Sequence, residues 1–507
     1  MTGQRSKGKG QRWFIPSCLL TLALCPLTFD LVGCATAQAT APAPLQADPL
    51  EQLRQDIAAA TAGPGVQRAG WGVVVESLER SERLFELNPH RLLVPASVTK
   101  LVSLATAVDA VGWEYRFVTT LQATGPIVDG VLQGDLVVVG SGDPAFGGRG
   151  GDDLALWVDA LKAIGIRRIE GRIIGDDDAF EDPRPGLAWA WDDIGYTSGA
   201  LFGALNFAEN RMAVTVTPTT AGGPTTLGVQ PHAANRPLAN RSITGPRGSA
   251  RLLWPEQRPG DVSLTIAGSI PAGAPAATMF VSAGNPTLWL VSVLRHLLLR
   301  EGIEVIGEAL DGDDVVPGPG DAVARDVYSY RSRPLSEIAQ PLLKESINIY
   351  GEAVLRLNAA ASPRTNDAAL EGLRQRFEAW GVSRDAWQLI DGSGLSRRNV
   401  VSPDTLVLVL RRMYDASGAS PWMTALPIAG RDGSLDGRMR GTAAENNVRA
   451  KTGTMSNVRS LAGYVRTRDG EPLAFAVMIE NFEGTGAQAV AAMDAIAVKL
   501  ASFSRGN

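Results

Sequence analysis

The sequence predicts a mixed α+β protein in which one discontinuous domain is interrupted by a long insertion. Strand patterns occur near both ends of the chain, at 71–87 and 448–479, with helical patterns beside them, so a single sheet drawing on both ends accounts for them. From about residue 117, short strand patterns alternate with glycine turns. Residues 117–284 are therefore predicted to form a mostly β insertion, carried by a domain made of 49–116 and 285–507.

The individual elements follow from the spacing of apolar residues and from the turn residues between them. The amino-terminal part has a helical pattern at 49–62, strand patterns at 71–78 and 83–87, and a helix that begins near Ser97 and ends near Val111. The insertion has strand patterns at 118–123, 132–139, 166–174, 212–217, 262–266 and 279–282, with one helix at 153–164. Helical patterns return at 285–300 and 334–357, and the chain ends with strands at 448–454, 460–466 and 473–479 and a helix at 486–503.

The composition is that of an ordinary globular protein, and it argues against some functions. The chain has 507 residues, of which 45% are apolar and 20% charged, and this length suits about two to four domains. The net charge is −5, and no long basic block occurs, which argues against nucleic acid as a main partner.

No metal site or cofactor is predicted. The three histidines, His90, His232 and His296, are scattered along the chain, and no cluster has the spacing of a zinc site. The acidic runs at 176–178 and 311–314 are expected to be solvated turns. The glycine-rich stretches at 140–142 and 147–150 lack the lysine and the following helix of a phosphate-binding loop.

The first 33 residues have the pattern of an export signal, which predicts a periplasmic protein. Basic residues at 5–12 precede an uncharged stretch at 13–29 that two prolines interrupt. This stretch is short for a membrane span, so cleavage is expected rather than anchoring by a helix. Residues 34–48 are rich in Ala, Thr and Pro and are expected to form a flexible tether.

Two cleavage sites compete in this leader, and the sequence leaves both open. The tetrapeptide Leu-Val-Gly-Cys at 31–34 resembles a lipoprotein box, in which Cys34 becomes the acylated first residue and anchors the protein to a membrane; Asp30, just before it, is unusual there. The sequence Cys-Ala-Thr-Ala at 34–37 offers an ordinary signal-peptidase site instead. The other cysteines, Cys18 and Cys25, precede Cys34, so no internal disulfide is expected.

Ser97 and Lys100 are the first candidate catalytic pair. A helix that begins after Pro95 places the two side chains on one face, about 5–6 Å apart at Cβ. A serine hydroxyl needs a base within hydrogen-bond reach to act as a nucleophile, and a lysine that its surroundings keep neutral can be that base. The pattern alone is weak, since Ser6 and Lys9 in the leader match it as well.

Two further patterns follow in chain order. Ser346 and Asn348 lie two residues apart, a spacing that suits a loop or an extended segment, where alternate side chains point the same way. The tetrapeptide Lys-Thr-Gly-Thr occupies 451–454, within a predicted strand. Each pattern alone has an ordinary structural explanation. The three patterns, ordered together on helix, loop and strand, indicate a serine peptidase site. The sequence contains no Gly-x-Ser-x-Gly elbow that would support a Ser-His-Asp triad instead.

The third pattern offers groups for a substrate and for a developing oxyanion. Lys451 and Thr452 supply a charge and a hydroxyl that suit a substrate carboxylate. Gly453 is expected to let ligand backbone come close to the strand. The N–H of Thr454 is placed to join the N–H of Ser97 as an oxyanion hole, whose donors are commonly worth a few kcal/mol each.

In order and spacing, the three motifs resemble those of the D-alanyl-D-alanine carboxypeptidase/endopeptidase family of class C, low-molecular-mass penicillin-binding proteins, which are serine DD-peptidases. The distance from Ser97 to Ser346 is 249 positions, and 105 more lead to Lys451. The long first gap matches two extra domains of that family, one nested inside the other, and is far longer than in single-domain β-lactamases. Similar segments at 134–144, 171–176, 189–193, 391–396 and 426–435 extend the resemblance over about 50–502.

The resemblance implies a fold, a reaction and partners. The fold is a penicillin-binding/β-lactamase-like transpeptidase domain, an antiparallel five-stranded sheet with helices on both faces. The reaction is hydrolysis of D-Ala-D-Ala ends, or of D-Ala–meso-diaminopimelate cross-links, in peptidoglycan stem peptides. Ser97 forms an acyl-enzyme with Lys100 as base, Ser346 passes a proton to the leaving group, and Asn348 and Thr452 position the substrate. β-Lactams would acylate Ser97 in the same way, and no cofactor is implied.

Departures from the family pattern leave alternatives open. Ile347 stands where the family usually has Asp or another polar residue, and a lipid anchor would be a second departure. A catalytically degenerate scaffold or β-lactam sensor is one alternative, although the intact motifs argue against it. A β-lactamase is another, which the long insertion disfavours. The insertion holds none of the motifs and is expected to lie lateral to the site.

Overall fold

A computed structural model describes residues 48–149, 153–182, 184–232, 236–315 and 324–506. The predicted export signal, Cys34 and the tether up to residue 47 lie outside the described residues. Within these ranges, no helix is both long and apolar enough to cross a bilayer.

The central sheet joins both ends of the chain, as the sequence predicted. Its five strands are antiparallel, and in spatial order they are Glu82–Leu87, Gly70–Ser77, Pro472–Glu480, Val458–Arg466 and Arg449–Met455. The middle strand is apolar almost throughout, and all its residues before Glu480 are buried, because helices cover both faces of the sheet. The strand Arg449–Met455, here called the Lys451 strand, lies at one edge.

Helices form a layer on each side of this sheet. The core on one side is built by the helices Thr99–Val111, Leu335–Gln340, Asn348–Arg356, Asn366–Ala379, Pro403–Met413 and Pro421–Ala425. The other side is covered by Pro49–Thr61 and Gly486–Ser502. The last helix begins with a capping box between Thr485 and Gln488. The predicted α+β class, a five-stranded sheet with helices on both faces, is thereby confirmed.

The insertion consists of an outer α/β unit and an inner β unit nested within it. One sheet of the outer unit contains Val118–Ala123, Leu136–Val139, Ile173–Asp176, Ala309–Asp311 and Arg325–Arg331, and the other contains Ile127–Val128, Val131–Leu132, Arg168–Ile169 and Glu304–Val305. Its helices are Asp153–Ala163 and Pro286–Arg300. The two sheets of the inner unit contain Arg211–Thr217, Thr226–Gln230 and Ala277–Ser282, and Leu238–Gly245, Leu252–Glu256 and Leu264–Pro271.

The insertion ends near residue 331 rather than at 284, which corrects the predicted boundary. The helix Pro286–Arg300 buries Trp289 and Leu290 in the core of the insertion. The strand Arg325–Arg331 pairs with Val118–Ala123 of the outer unit. The prediction was wrong because an apolar helical pattern shows that a helix is buried without showing which core receives it.

Several element predictions differ from the structure in detail. The sequence patterns missed three strands of the inner unit, at 226–230, 238–245 and 252–256. The first and third are mostly exposed or half-buried, and the buried residues of the second are Ser242, Thr244 and Gly245, so none of the three carries a clear apolar alternation. The predicted strands at 132–139 and 166–174 are each divided where Gly134 and Gly171 meet. A Cβ on Gly171 would lie 2.4 Å from the Gly134 carbonyl oxygen, and a Cβ on Gly134 would lie 2.7 Å from the Gly125 nitrogen, so neither position has room for a side chain.

The sequence predicted that the acidic runs of the insertion are solvated turns. The structure shows that some of these residues are buried and grouped. Carboxylate oxygens of Asp177, Asp311 and Asp313 lie within 4.8 Å of one another, and the first two residues are buried. Thr287 donates a hydrogen bond to Asp177, and Asn285 to Asp311. Both carboxylates thus lie at the start of the helix Pro286–Arg300, where the helix dipole favours negative charge. Burial, together with Asp311 and Asp313, raises the pKa of Asp177 to about 6.

Candidate active site

The three sequence motifs meet at one cavity of about 550 Å³ beside the Lys451 strand. Ser97, Ser346, Asn348 and Thr454 line this cavity. Lys100, on the helix Thr99–Val111, is fully buried behind it, as is Lys451. Residues that are 354 positions apart in the chain therefore form one site, because the sheet takes strands from both ends.

Ser97 is held in a short 3-10 turn, Ala96–Val98, that leads into the Lys100 helix. The preceding residue, Ala96, has φ +49°, a left-handed conformation that is costly for a residue with a Cβ. The Ser460 hydroxyl donates a 2.6 Å hydrogen bond to the Pro95 carbonyl and fixes this turn against the central sheet. Backbone strain of this kind is typical of functional sites.

Lys100 has three oxygen neighbours within hydrogen-bond distance. Its Nζ lies 2.9 Å from Ser97 Oγ, 2.7 Å from Asn348 Oδ1 and 2.6 Å from the Ser393 carbonyl oxygen. The latter two oxygens only accept hydrogen bonds, whereas a serine hydroxyl can also donate. A neutral lysine has two N–H donors and one lone pair. When both donors are used on Asn348 and Ser393, the lone pair is directed at the Ser97 hydroxyl.

Burial also favours the neutral form of Lys100. Desolvation lowers its pKa from 10.5 to about 7, against the opposing effect of the negative charges of Asp391 and Glu352. A substantial fraction of the amine is therefore neutral near neutral pH. A lysine that acts as a general base needs this property.

Ser346 and Asn348 lie where a predicted helix is interrupted. The sequence predicted helical structure over 334–357, but the chain leaves the helix after the π-turn Pro341–Glu345, and Ser346 has φ +63° and ψ +32°. A new helix, Asn348–Arg356, begins two residues later. The left-handed residue breaks the helical hydrogen bonding and brings the Ser346 hydroxyl to the cavity. This agrees with the loop geometry that the two-residue spacing indicated.

Lys451 is paired with the second motif rather than with the first. Its Nζ donates to Ser346 Oγ at 2.8 Å and to the Thr452 carbonyl at 2.8 Å. Burial, and then the positive charge of Lys100, lower the pKa of Lys451 well below 10.5. The positive charge of Lys100 therefore disfavours the charged form of Lys451.

The remaining residues of the third motif occupy the free edge of the sheet. Thr452 Oγ1 donates to Ser434 Oγ at 2.7 Å. Ala450 N–H donates to the Pro427 carbonyl outside the sheet, and strand geometry repeats every second residue, so the N–H of Thr454 faces the same free edge. Because the edge borders the cavity, this direction suits the predicted oxyanion donor.

Gly453 has a different environment from the predicted one. A Cβ there would lie 2.0 Å from Ser460 Oγ and 2.6 Å from the Pro95 carbonyl oxygen. The close approach that we expected a ligand to make is therefore made by the protein's own turn before Ser97. The glycine is needed so that the Lys451 strand can pack against that turn.

The insertion contributes to the cavity, which corrects the expectation that it lies lateral to the site. The inserted residues that line the cavity are Arg149, Ala190, Asp192, Asp193, Thr197, Ser198, Glu209 and Arg211. Asn348 Nδ2 donates a 2.8 Å hydrogen bond to the Ser198 carbonyl. Arg149 forms ion pairs with Glu209 and with Glu345, which precedes the second motif. The sequence could not show these contacts because they join segments far apart in the chain.

Two groups around Lys100 were missed by sequence reasoning. The Ser393 carbonyl is a main-chain group, and no residue type identifies such an acceptor. Glu352 is a buried carboxylate that accepts main-chain N–H groups of the same loop. Its position four residues after Asn348, on the same helical face, is the sequence signal by which it could have been found.

The chain is similar to known proteins in sequence and in fold. The model of the D-Ala-D-Ala carboxypeptidase 3 (S13) family matches residues 53–502. The chain belongs to this family. The carboxypeptidase family that the motif spacing indicated is thereby confirmed.

Relatives from two bacteria are similar over most of their length. A D-alanyl-D-alanine carboxypeptidase from Actinomadura sp. (strain R39) is 34% identical over 504 residues, which cover 96% of this chain and 90% of that protein. The D-alanyl-D-alanine carboxypeptidase DacB of Haemophilus influenzae is 25% identical over 81% of this chain and 85% of its own. The crystal structure of penicillin binding protein 4 (dacB) from H. influenzae has the same fold, with a TM-score of 0.74 at 24% identity, covering 89% of this chain and 98% of its own.

Proposed function

We propose that this protein is a serine DD-peptidase that hydrolyses D-Ala-D-Ala ends, D-Ala–meso-diaminopimelate cross-links, or both, in peptidoglycan stem peptides. Membership of the carboxypeptidase family supports the reaction class. The observation that carries the serine mechanism is the 2.9 Å contact between Ser97 Oγ and Lys100 Nζ, in surroundings that direct the lysine lone pair at the hydroxyl.

The proposed reaction has two steps. Lys100 takes the Ser97 proton, the serine oxygen bonds to the carbonyl carbon of the penultimate D-alanine, and the N–H groups of Ser97 and Thr454 stabilise the oxyanion. The carbon–nitrogen bond then breaks, and the proton that Lys100 took from Ser97 passes through Ser346 to the leaving amine, which returns Lys100 to its neutral form. Water then attacks the acyl carbon and gives one proton to the Ser97 oxygen as the acyl–oxygen bond breaks. The shortened peptide leaves as a carboxylic acid and loses its remaining proton to solvent.

Positioning of the substrate is assigned to the neighbouring motif residues. Lys451 and Thr452 are proposed to hold the substrate carboxylate, and Asn348 to contact its amide. Asn348 Nδ2 already donates a 2.8 Å hydrogen bond to the Ser198 carbonyl. Either a bound substrate replaces this hydrogen bond, or the hydrogen bond persists and orients the Asn348 side chain while the substrate binds beside it.

Covalent labelling tests the proposal. Incubation with a fluorescent penicillin should give one labelled band, and peptide mass mapping should locate the adduct on Ser97. Ser97→Ala should lose both the label and the release of D-alanine from a D-Ala-D-Ala peptide. Retention of the label in this variant would exclude Ser97 as the nucleophile. β-Lactam is the chosen probe because the H. influenzae protein of the same fold was crystallised with one.

Product analysis separates the alternatives. Release of D-alanine from a pentapeptide indicates carboxypeptidase activity, and cleavage of a cross-linked dimer indicates endopeptidase activity. Labelling without either reaction would indicate a scaffold or sensor. Rapid turnover of the β-lactam, with loss of the label within seconds, would indicate a β-lactamase.

We also propose that the protein is exported and acts in the periplasm, where its peptidoglycan substrate lies. The proposal rests on the basic and apolar pattern of residues 1–33. A fusion of residues 1–48 to a reporter that is active only after export tests it. An inactive reporter would refute the export signal.

A further inference from the structure

A loop of the peptidase domain supports the catalytic machinery from behind. The segment 391–396 places the Ser393 carbonyl 2.6 Å from Lys100 Nζ. The Ser103 hydroxyl, one helical turn after Lys100, donates to the Gly392 carbonyl at 2.8 Å. The position of this loop therefore decides where the Lys100 amine points.

Glu352 holds the same loop from the opposite side. Its Oε1 accepts the Ser393 N–H at 2.9 Å, and its Oε2 accepts the Gly392 N–H at 3.3 Å. Because both carboxylate oxygens face main-chain donors, the geometry suits the ionised form. The side chain is on the helix Asn348–Arg356 and is almost completely buried. One helix thus presents Asn348 and Glu352 to Lys100 and to its supporting loop.

The loop lies directly against this helix. A Cβ on Gly392 would be 2.1 Å from the Gly351 carbonyl oxygen, and a Cβ on Gly351 would be 2.8 Å from the Gly392 carbonyl oxygen. The two glycines let the main chains touch, so that Glu352 reaches the loop N–H groups without an intervening side chain. This close fit leaves the Ser393 carbonyl little freedom to move.

We propose that Glu352 is a positioning residue for Lys100. By accepting the N–H groups of Gly392 and Ser393, it fixes the Ser393 carbonyl on the lysine and so directs the lysine lone pair at Ser97. The inference rests on the proposed function of Ser97 and Lys100 as nucleophile and base, and it adds a residue that touches neither the substrate nor the reacting atoms.

Glu352 also acts on Lys100 through charge. The charged groups around Glu352 are Asp391 on the loop, Arg356 on its own helix and Lys100 on the neighbouring helix. Burial, followed by Asp391, raises the pKa of Glu352. In its ionised form Glu352 raises the pKa of Lys100, so removal of its charge should lower the pKa of the lysine.

The experiment compares three variants by their rate of acylation with a fluorescent penicillin between pH 5 and about 9, a range that brackets the shifted lysine pKa. Glu352→Gln keeps the size of the side chain but presents an N–H₂ group to one of the two loop donors. Glu352→Asp keeps the charge but shortens the side chain. Glu371→Gln makes the same chemical change on an exposed face of the helix Asn366–Ala379 and is the control.

Glu352→Gln should lower the maximal rate about tenfold to a hundredfold, as expected when a reacting group is misplaced. In the plot of acylation rate against pH, the rise on the acid side (the acid limb) should move to lower pH in this variant. Glu352→Asp should lose rate while its acid limb stays in place, and Glu371→Gln should match the wild type. A folded Glu352→Gln protein with the wild-type rate and limb would overturn the inference. If this variant does not fold, Glu352→Asp decides, and an unchanged rate would overturn the inference.

A second measurement does not depend on activity. The sequence has only seven lysines, so ε-¹³C-lysine labelling gives a simple NMR spectrum, in which the Lys100 signal is identified by its loss in Lys100→Arg. The Lys100 titration should move to lower pH in Glu352→Gln, and an unmoved titration would contradict the inference. Failure of the wild type to react with penicillin would instead refute the proposed function, while the titration would still decide the role of Glu352.

Discussion

Asn348 Nδ2 donates a hydrogen bond to the Ser198 carbonyl oxygen, 2.8 Å away, and so joins the second motif to the insertion. The other end of the same amide, Oδ1, lies 2.7 Å from Lys100 Nζ. The side chain is therefore oriented by a main-chain group of the insertion at one end and by the proposed base at the other. A disturbance of the segment around Ser198 should reach Lys100 through this amide.

Gly199→Ala should lower the rate of acylation by penicillin about tenfold, because a misplaced supporting group displaces the reacting atoms. A Cβ at this position would lie 2.2 Å from the Asp193 carbonyl oxygen, so the segment that carries the Ser198 carbonyl has to move. Gly63→Ala is the matched control, since its Cβ would meet its nearest neighbour at an ordinary 3.5 Å. Labelling kinetics of the two folded variants test this link, and equal rates would show that the insertion does not orient Asn348.

Lys100→Arg should reduce acylation and peptide hydrolysis by about 10² to 10⁴, the usual contribution of a general base. The guanidinium keeps the positive charge but does not deprotonate in proteins. Lys100→Met, which is smaller, should be equally inactive and excludes overpacking as the cause. Lys499→Arg, at a half-exposed ion pair with Asp56, is the control and should keep full activity. Activity close to the wild type in Lys100→Met would assign the lysine a structural role.

The rate of acylation should rise with pH through about 7, because desolvation lowers the pKa of Lys100 to that value and the neutral amine is the proposed base. Stability should follow the same direction. The folded pKa lies below the unfolded value, so between about pH 7 and 10 the unfolded chain binds more protons, and the free energy of unfolding rises with pH. Denaturant melts over this range should show a smaller rise in Lys100→Met, and an identical pH dependence would contradict a depressed lysine pKa.

The state of Cys34 decides whether the protein is anchored to a membrane. If it is acylated, the wild type should enter the membrane fraction and resist salt extraction, since two or three acyl chains anchor firmly. Cys34→Ala should then release the protein with catalysis intact. Mass spectrometry of the mature amino terminus gives the direct answer, and an unmodified residue following Ala37 would refute the lipoprotein hypothesis while leaving the proposed enzyme activity untouched.

Local patterns were sufficient for much of the architecture. The central sheet was predicted because its strands carry strong apolar runs bounded by turn residues, as in 473–479. The boundary of the insertion was predicted wrongly, because the apolar pattern of the helix Pro286–Arg300 does not show which of two cores the helix enters. The exposed strands of the inner unit have almost no apolar alternation, and they were missed for that reason.

By itself, the sequence determined which residue types are available for chemistry and on which kind of element each one lies. Ser97, Lys100, Ser346 and Lys451 could be named because short-range spacing and chain order are properties of the sequence. Only the tertiary structure decided that Lys451 pairs with Ser346 and that Gly453 accommodates the protein's own turn. It also decided that Asn348 is bonded to the Ser198 carbonyl and that Glu352 accepts the N–H groups of Gly392 and Ser393. The reason is physical: these contacts use main-chain groups and buried charges whose partners are chosen by packing across long stretches of chain, and no local pattern records that choice.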